Sequence, residues 1–407
     1  MSLVTDLVCV CCGRVSADAP LRCTCEACGP ARGILDVRYD MAAARKTMTW
    51  EALADRPLNH WRYRELLPLD DCPDWPVGWS PIVEAPRLAG ELGVRRLRLK
   101  DEGRNGTASF KDRASSVGVA RALAAGATTI ACASTGNAAT SLAGYAAVAG
   151  LPAVIFVPRT APAPKIAQLL IYGATVFRVQ DSYAAAYDLC SQACDSFGWY
   201  NRNCAINPYL VEGKKTAGLE IAEQCRDDPP DWVAVSVGDG CTIAGIGKGL
   251  EQMRELGLIG WRTRLLGVQA AGMAPVAKAF HGEACEVNAL PGTLADSINV
   301  AVPRNLDKAV RAVRASGGRY IEVSDQAILA AMRDTGRLAG LFAEPAAATA
   351  VAGVRCAVRH GIIAPDASVL AMITGNGLKD IDAASRAAGA PVDIPPRLEE
   401  VRRYCEQ

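Results

Sequence analysis

From about Leu97 onward the chain alternates short, unbroken apolar runs with longer segments in which apolar residues recur at helical spacing. Thr128–Ser134 (TTIACAS), Ala153–Pro158 (AVIFVP) and Ala174–Gln180 (ATVFRVQ) read as strands, with helices predicted over Ala138–Gly150, Lys165–Gly173 and Tyr183–Phe197. A second series begins near Gly213. It runs through helix Lys214–Gln224, strand Trp232–Val237, helix Ile243–Leu256 and strands Leu265–Ala270 and Arg319–Val323. An Ala-rich helical region, Gln326–His360, interrupted at Glu344-Pro345, precedes a last strand, Ser368–Ile373. Strands buried on both faces read as continuous apolar runs, and their alternation with helices implies βαβ units and parallel sheets. The expectation is α/β, with two doubly wound lobes. Ligands in such sheets sit at the carboxyl ends of strands, beside helix N-termini.

The flanking regions differ. Residues 1–40 are short and cysteine-dense and read as a small appended module, while 41–80, rich in Trp and Pro, reads as irregular packing and connection. Ala122–Pro158 contains 37 residues without a charged side chain or histidine, but glycines and Pro152 punctuate it, so it reads as buried strand–helix–strand and not as a membrane span.

Composition narrows the function classes. Of 407 residues half are hydrophobic and only 6% aromatic, so Ala, Val, Leu and Ile must build a large core. Lys+Arg 44 against Asp+Glu 43 leaves a net charge of +1, which argues against a broad nucleic-acid face. The first residues lack the basic and apolar regions of a signal peptide, so a cytoplasmic location is expected and the 16 cysteines are expected as thiols, metal ligands or small core residues.

Five constellations carry candidate chemistry. Cys9-Val-Cys-Cys12-Gly13 and Cys25-Glu-Ala-Cys28-Gly29 form two CxxCG knuckles, and four thiolates from Cys9, Cys12, Cys25 and Cys28 suit a closed, structural Zn²⁺ site; Cys11 and Cys23 are surplus and free thiols are the alternative. Phe110-Lys111-Asp112-Arg113 opens a helix with a lysine, by itself an ordinary solvated charge. Ser134-Thr135-Gly136-Asn137 lies between strand and helix, where N–H groups and the helix dipole favour an anion, or where Ser, Thr and Asn act only as caps. Gly238-Asp239-Gly240-Cys241-Thr242 is a second such turn, able to cradle a phosphate. Thr374-Gly-Asn-Gly377 ends a strand with a hydroxyl and two glycines.

In order and context, SFKDR, CASTGNAA, VGDGCT, FAEPAAATA and ITGNGLKD resemble segments of the threonine synthase family of fold-type II, tryptophan synthase β-like pyridoxal-phosphate enzymes, over nearly the whole chain; the CxxCG ribbon resembles an N-terminal extension of many members. The resemblance implies a ribbon-like module at 1–40, a large cofactor-binding domain from 41–112 and 213–407, and a small domain at 113–212. It implies that Lys111, next to Phe110, carries pyridoxal 5'-phosphate and moves the Cα proton. It implies further that Asn137 bonds the ring hydroxyl, Gly238, Asp239, Gly240, Cys241 and Thr242 hold the phosphate, and Thr374 faces the ring nitrogen. Ser134, Thr135, Gly136, Asn137 and Ala138 form the substrate loop. A homodimer acting on a small α-amino acid is implied as well.

Departures from the family pattern bear on the substrate. Conversion of O-phosphohomoserine to threonine needs a second anion site, yet Ala138 stands where Thr is common, Cys204 replaces an amide, Leu210 replaces an arginine, and Asp239 replaces an amide. Lys214 or Lys215 could compensate, although helix lysines with solvated heads are the expectation. The alternatives are a serine/threonine dehydratase-type ammonia-lyase, which needs no phosphate site, or a β- or γ-replacement enzyme of specialised metabolism. A non-catalytic zinc-ribbon adaptor is disfavoured by the intact Lys111. His60, His281 and His360 are scattered, and Glu344-Pro345 has sufficient structural reasons at a helix start.

Overall fold

The computed structural model describes residues 2–19, 23–161, 163–203, 206–286 and 290–406. In chain order the strands are β1 (Val4–Cys9), β2 (Val15–Ser16), β3 (Leu35–Tyr39), β4 (Ile82–Glu84), β5 (Arg96–Asp101), β6 (Ile130–Ala133) and β7 (Ala153–Pro158). They continue with β8 (Thr175–Val179), β9 (Tyr200–Asn201), β10 (Trp232–Ser236), β11 (Arg264–Ala270), β12 (Arg319–Val323) and β13 (Ser368–Ile373). Three sheets result: β2-β1-β3, β12-β11-β10-β13-β5-β4 and β8-β7-β6-β9. The first is antiparallel. The other two are parallel except for the edge strand β4.

The apolar runs explain this arrangement. Side chains alternate across a strand, and β10 sends Val233 and Val235 into one hydrophobic cluster and Trp232 and Ala234 into another on the opposite face. Ala371 of β13 lies opposite both Leu99 and Ala234, so the strand that ends in Thr374 is central to the large sheet. Leu7, Leu35 and Val37 of the N-terminal sheet share the cluster of Val233 and Val235, so that module is packed into the body. Asp36 accepts from Lys248 at 3.1 Å and Lys308 at 2.7 Å, which ties it there electrostatically.

The uncharged run becomes β6, helix Asn137–Ala149 and β7, mostly buried. Among the described residues no helix is long and apolar enough to cross a membrane. Two expectations need adjustment. Residues 41–80 contain short helices, Met41–Thr47, Trp50–Ala54 and a 3₁₀ segment His60–Leu66, in the stretch expected to be irregular. The helix expected from Lys214 begins at Tyr209, where Asn207 Oδ1 accepts the Tyr209 N–H at 3.1 Å. Gly213 sits inside that helix because a Cβ there would lie 1.9 Å from the Arg113 carbonyl oxygen, so its absence lets two helices touch.

Candidate active site

The site lies where parallel strands end. Helix Lys111–Ala124 is entered from β5 through a loop whose backbone is tied to the end of β13. Phe110 N–H donates to the Thr374 carbonyl at 2.8 Å, Asn376 N–H donates to Ala108 at 3.1 Å, and Ser109 bridges to Gly375. Ala108 takes φ +63°, a left-handed conformation held by these contacts. The fully buried carboxylate of Asp112 accepts from the Thr107 N–H at 2.7 Å and from its hydroxyl. Lys111 therefore stands beside Thr374 because the main chain on both sides is fixed.

Across the cleft, β6 runs into Ser134, Thr135 and Gly136, all half-buried, and helix Asn137–Ala149 follows. No side chain caps this helix; Ser134 Oγ instead accepts the Gly136 N–H at 3.2 Å. First-turn N–H groups have no intrahelical acceptor, so the turn suits a carboxylate. Asn137 is buried, and its Nδ2 lies 3.1 and 2.9 Å from the two carboxylate oxygens of Glu344, itself buried at the start of helix Pro345–Arg359. Burial raises the pKa of Glu344, opposed by Asn137 and by Lys111, Lys379 and Lys165. Thr135, Asn137, Thr140, Lys165, Glu344 and Lys379 line a common cavity of about 100 Å³.

The third turn, Gly238–Thr242, follows β10. Gly240 has φ +89° and precedes helix Cys241–Glu255, which also starts without a side-chain cap. A Cβ on Gly240 would lie 2.7 Å from that of Ala309, and one on Gly238 would lie 3.0 Å from Ile298 Cα. Asp239 Oδ1 accepts from the Arg304 N–H at 3.2 Å, so its acid is engaged by backbone. Ser297 links this turn to the substrate loop: its carbonyl is 3.4 Å from where a Gly238 Cβ would stand, and its hydroxyl is 3.5 Å from Asn137 Nδ2. An amine at a fixed helix start, a glycine cradle with uncapped helix donors and an anchored amide together fit a cofactor bearing a phosphate and a carbonyl.

Sequence reasoning gave Glu344 only structural reasons and missed Ser297; a lone acid before Pro at a helix start carries no local sign of a partner 207 residues away. Of the departures, Ala138 lies half-buried in the substrate loop and Leu210 is fully buried, while Cys204 falls outside the described residues. The expectation of solvated helix lysines is overturned: Lys214 and Lys215 are both buried. Lys215 pairs with Glu212, and burial lowers its pKa to about 7. A larger cavity, about 560 Å³ between the N-terminal sheet and helix Cys241–Glu255, contains none of the catalytic candidates.

At the N-terminus the sulfurs of Cys9, Cys12, Cys25 and Cys28 all lie within 4.8 Å of one another. Gly13 and Gly29 take φ of +72° and +68°, the conformation each knuckle needs to turn its thiols inward. Tetrahedral zinc with Zn–S near 2.3 Å sets its sulfurs about 3.8 Å apart, so the cluster is of the right size.

Residues 76–375 match the family described as pyridoxal-phosphate dependent enzyme. The chain is 37% identical over 400 residues to a threonine synthase of Methanosarcina acetivorans, covering 97% of each. It is 36% identical over 409 residues to a threonine synthase of Methanocaldococcus jannaschii, covering 98% of this chain and 99% of that one. Among solved structures, a threonine deaminase from the source abbreviated T.th. superposes with a TM-score of 0.62 at 26% identity, covering 73% of this chain and 92% of the other.

Proposed function

We propose that this chain, which belongs to the threonine synthase family of pyridoxal-phosphate dependent enzymes, performs elimination or replacement at Cβ or Cγ of a small α-amino acid, with O-phosphohomoserine to threonine plus phosphate as the leading reaction. The observation that carries the reading is the 2.8 Å bond from Phe110 N–H to the Thr374 carbonyl, which sets Lys111 beside the hydroxyl residue at the end of the central strand.

When bound, pyridoxal phosphate supplies an electron-withdrawing ring that acidifies the substrate Cα–H. Lys111 holds the cofactor and moves the Cα proton; its place at a helix start aims one amine at both tasks. The Gly238–Thr242 turn presents backbone N–H groups to the phosphate. The Asn137 amide, steadied by Glu344, bonds the ring hydroxyl, and Ser134, Thr135, Gly136 and Ala138 orient the substrate carboxylate. Thr374 offers the ring nitrogen a neutral hydroxyl, which cannot keep it protonated as an aspartate does and so favours elimination and replacement over transamination. On this reading residues 41–112 and 213–407 form the cofactor domain, 113–212 the small domain and 1–40 a ribbon whose four cysteines bind structural zinc. The enzyme is a cytoplasmic homodimer.

A second reading has a specific observation in its favour. Leu210, where an arginine is expected, is fully buried and packs against Gly118, so it offers no charge to a phosphate. That favours a serine or threonine ammonia-lyase. Borohydride reduction of the loaded enzyme is expected to add the cofactor mass to Lys111 and to nothing in Lys111→Ala. Phosphate release with threonine from O-phosphohomoserine supports the synthase; 2-oxobutyrate from threonine without phosphate release supports the lyase; a protein that takes up no cofactor overturns both.

A further inference from the structure

Arg202 follows β9, and its N–H donates to the Ala131 carbonyl at 2.8 Å, so it leaves the small sheet at the carboxyl end from which β6 enters Ser134–Asn137. The side chain is 1% exposed. Its Cγ lies 3.8 Å from where a Cβ on Gly118 would stand, and its Nη2 donates to Ser115 Oγ at 2.8 Å. Ser115 is nearer than Gly118 to Lys111 on the same helix, one turn or about 6 Å from it along the axis. The guanidinium therefore runs along helix Lys111–Ala124 toward its catalytic end. Leu210 Cδ2 lies 2.7 Å from the same imagined Cβ. Arg202 and Leu210 thus lie side by side over Gly118, whose missing side chain makes room for both.

The charge of Arg202 has no carboxylate within ion-pair distance among the described residues, and its Nε has no acceptor. Other arginines buried to this degree are matched: Arg113 by Glu102 at 2.7 Å and Glu220 at 2.6 Å, and Arg62 by Glu223 at 2.8 Å. A buried guanidinium with one neutral hydroxyl as partner is costly unless an anion completes it. Its planar fork matches a phosphate or carboxylate bidentately, and the Ser115 hydroxyl supplies a further donor.

We infer that Arg202, with Ser115, is the second anion-binding group of the substrate site, supplying from the end of β9 the charge that Leu210 lacks, and that the substrate is an α-amino acid whose side chain bears an anionic group, a phosphate ester foremost. The inference rests on the amino-acid reading above, since the substrate's own carboxylate is met at Ser134–Asn137.

The test is titration of the cofactor-loaded enzyme with homoserine and with O-phosphohomoserine, followed by the shift in cofactor absorbance. The wild type is expected to bind the phosphate ester at least about tenfold more tightly, the scale of one charge-assisted bond. Arg202→Leu is expected to lose that preference while its response to homoserine is unchanged, which also shows the variant is folded; Arg202→Lys is expected to keep part of it. A preference that survives in Arg202→Leu overturns the inference, as does equal weakening of both ligands, which marks a structural arginine. A wild type that responds to both alike overturns the inference and leaves the functional reading standing. Response to neither overturns both.

Discussion

Asn137 on one lobe holds Glu344 on the other: its amide nitrogen sits 2.9 and 3.1 Å from the carboxylate oxygens. Gly375 is a glycine because a Cβ there would meet Glu344 Oε1 at 2.4 Å, so the loop after β13 is shaped around this carboxylate. The contact fixes which way the amide faces, and hence which atom it offers the cofactor.

Burial raises the Glu344 pKa above its ordinary 4.5. A carboxyl whose folded pKa is raised contributes stability that is complete below the unfolded value and lost as pH rises through the folded one. Glu344→Gln keeps an oxygen to accept from Asn137 and removes the ionisation. Cofactor-free Glu344→Gln is therefore expected to melt a few degrees above wild type at pH 8, with the gap closing below about pH 4.5. Its turnover is expected to fall about tenfold as the amide loses a charged acceptor. Melting curves against pH and steady-state rates check the two halves separately.

The cradle can be tested through Gly240. Alanine there must hold φ +89° and place its Cβ 2.7 Å from that of Ala309. The expected cost is about 1–3 kcal/mol of stability in urea unfolding. Dialysis is expected to strip cofactor from Gly240→Ala faster than from wild type. Equal retention argues against a phosphate at this turn.

His60 is fully buried, and burial, then the Arg113 charge, push its pKa down to about 3. A depressed folded pKa gives stability that is present above the ordinary 6.5 and lost as pH falls toward the folded value. Its ring lies 3.3 Å from Ser116 Oγ and 3.4 Å from Thr216 Oγ1. His60→Gln is expected to be less stable at pH 7.5 from lost packing. Between pH 6 and 5 it is expected to lose about 1.4 kcal/mol less per pH unit than wild type. Denaturation at stepped pH measures that slope.

The cysteine cluster predicts about one zinc per chain by metal analysis. Cys12→Ser combined with Cys28→Ser is expected to lose it and to lower the melting temperature, because Leu7, Leu35 and Val37 beside the knuckles belong to a main core cluster. Undiminished zinc in that variant overturns the assignment.

The central strands were legible because burial on both faces leaves continuous apolar runs. β6, β7, β10 and β13 fall inside the predicted segments. The start of helix Tyr209–Gln224 was missed, since Leu210 and Val211 carry no polar alternation and the capping Asn207 resembles any turn residue. The short helices of 41–80 escaped notice because their packing is polar as well as apolar: Arg62 and Glu65 are buried there with partners nine and more residues distant.

Local pattern determined the strands, the helices between them and the turns at strand ends, because backbone hydrogen bonding and apolar burial are satisfied over short stretches. It also placed Lys111 at a helix start, the four cysteines in two knuckles, and the family. Tertiary structure alone decided which charges are buried and with whom. Arg113 meets Glu102 and Glu220, and Lys100 meets Glu220 at 3.0 Å, all four wholly buried. Lys215 lies in the interior where a solvated head was expected, and Arg202 takes up a place beside Leu210. A charged residue reads the same in sequence whether water or a distant carboxylate surrounds it; only the fold sets that distance, and with it the electrostatics of the site.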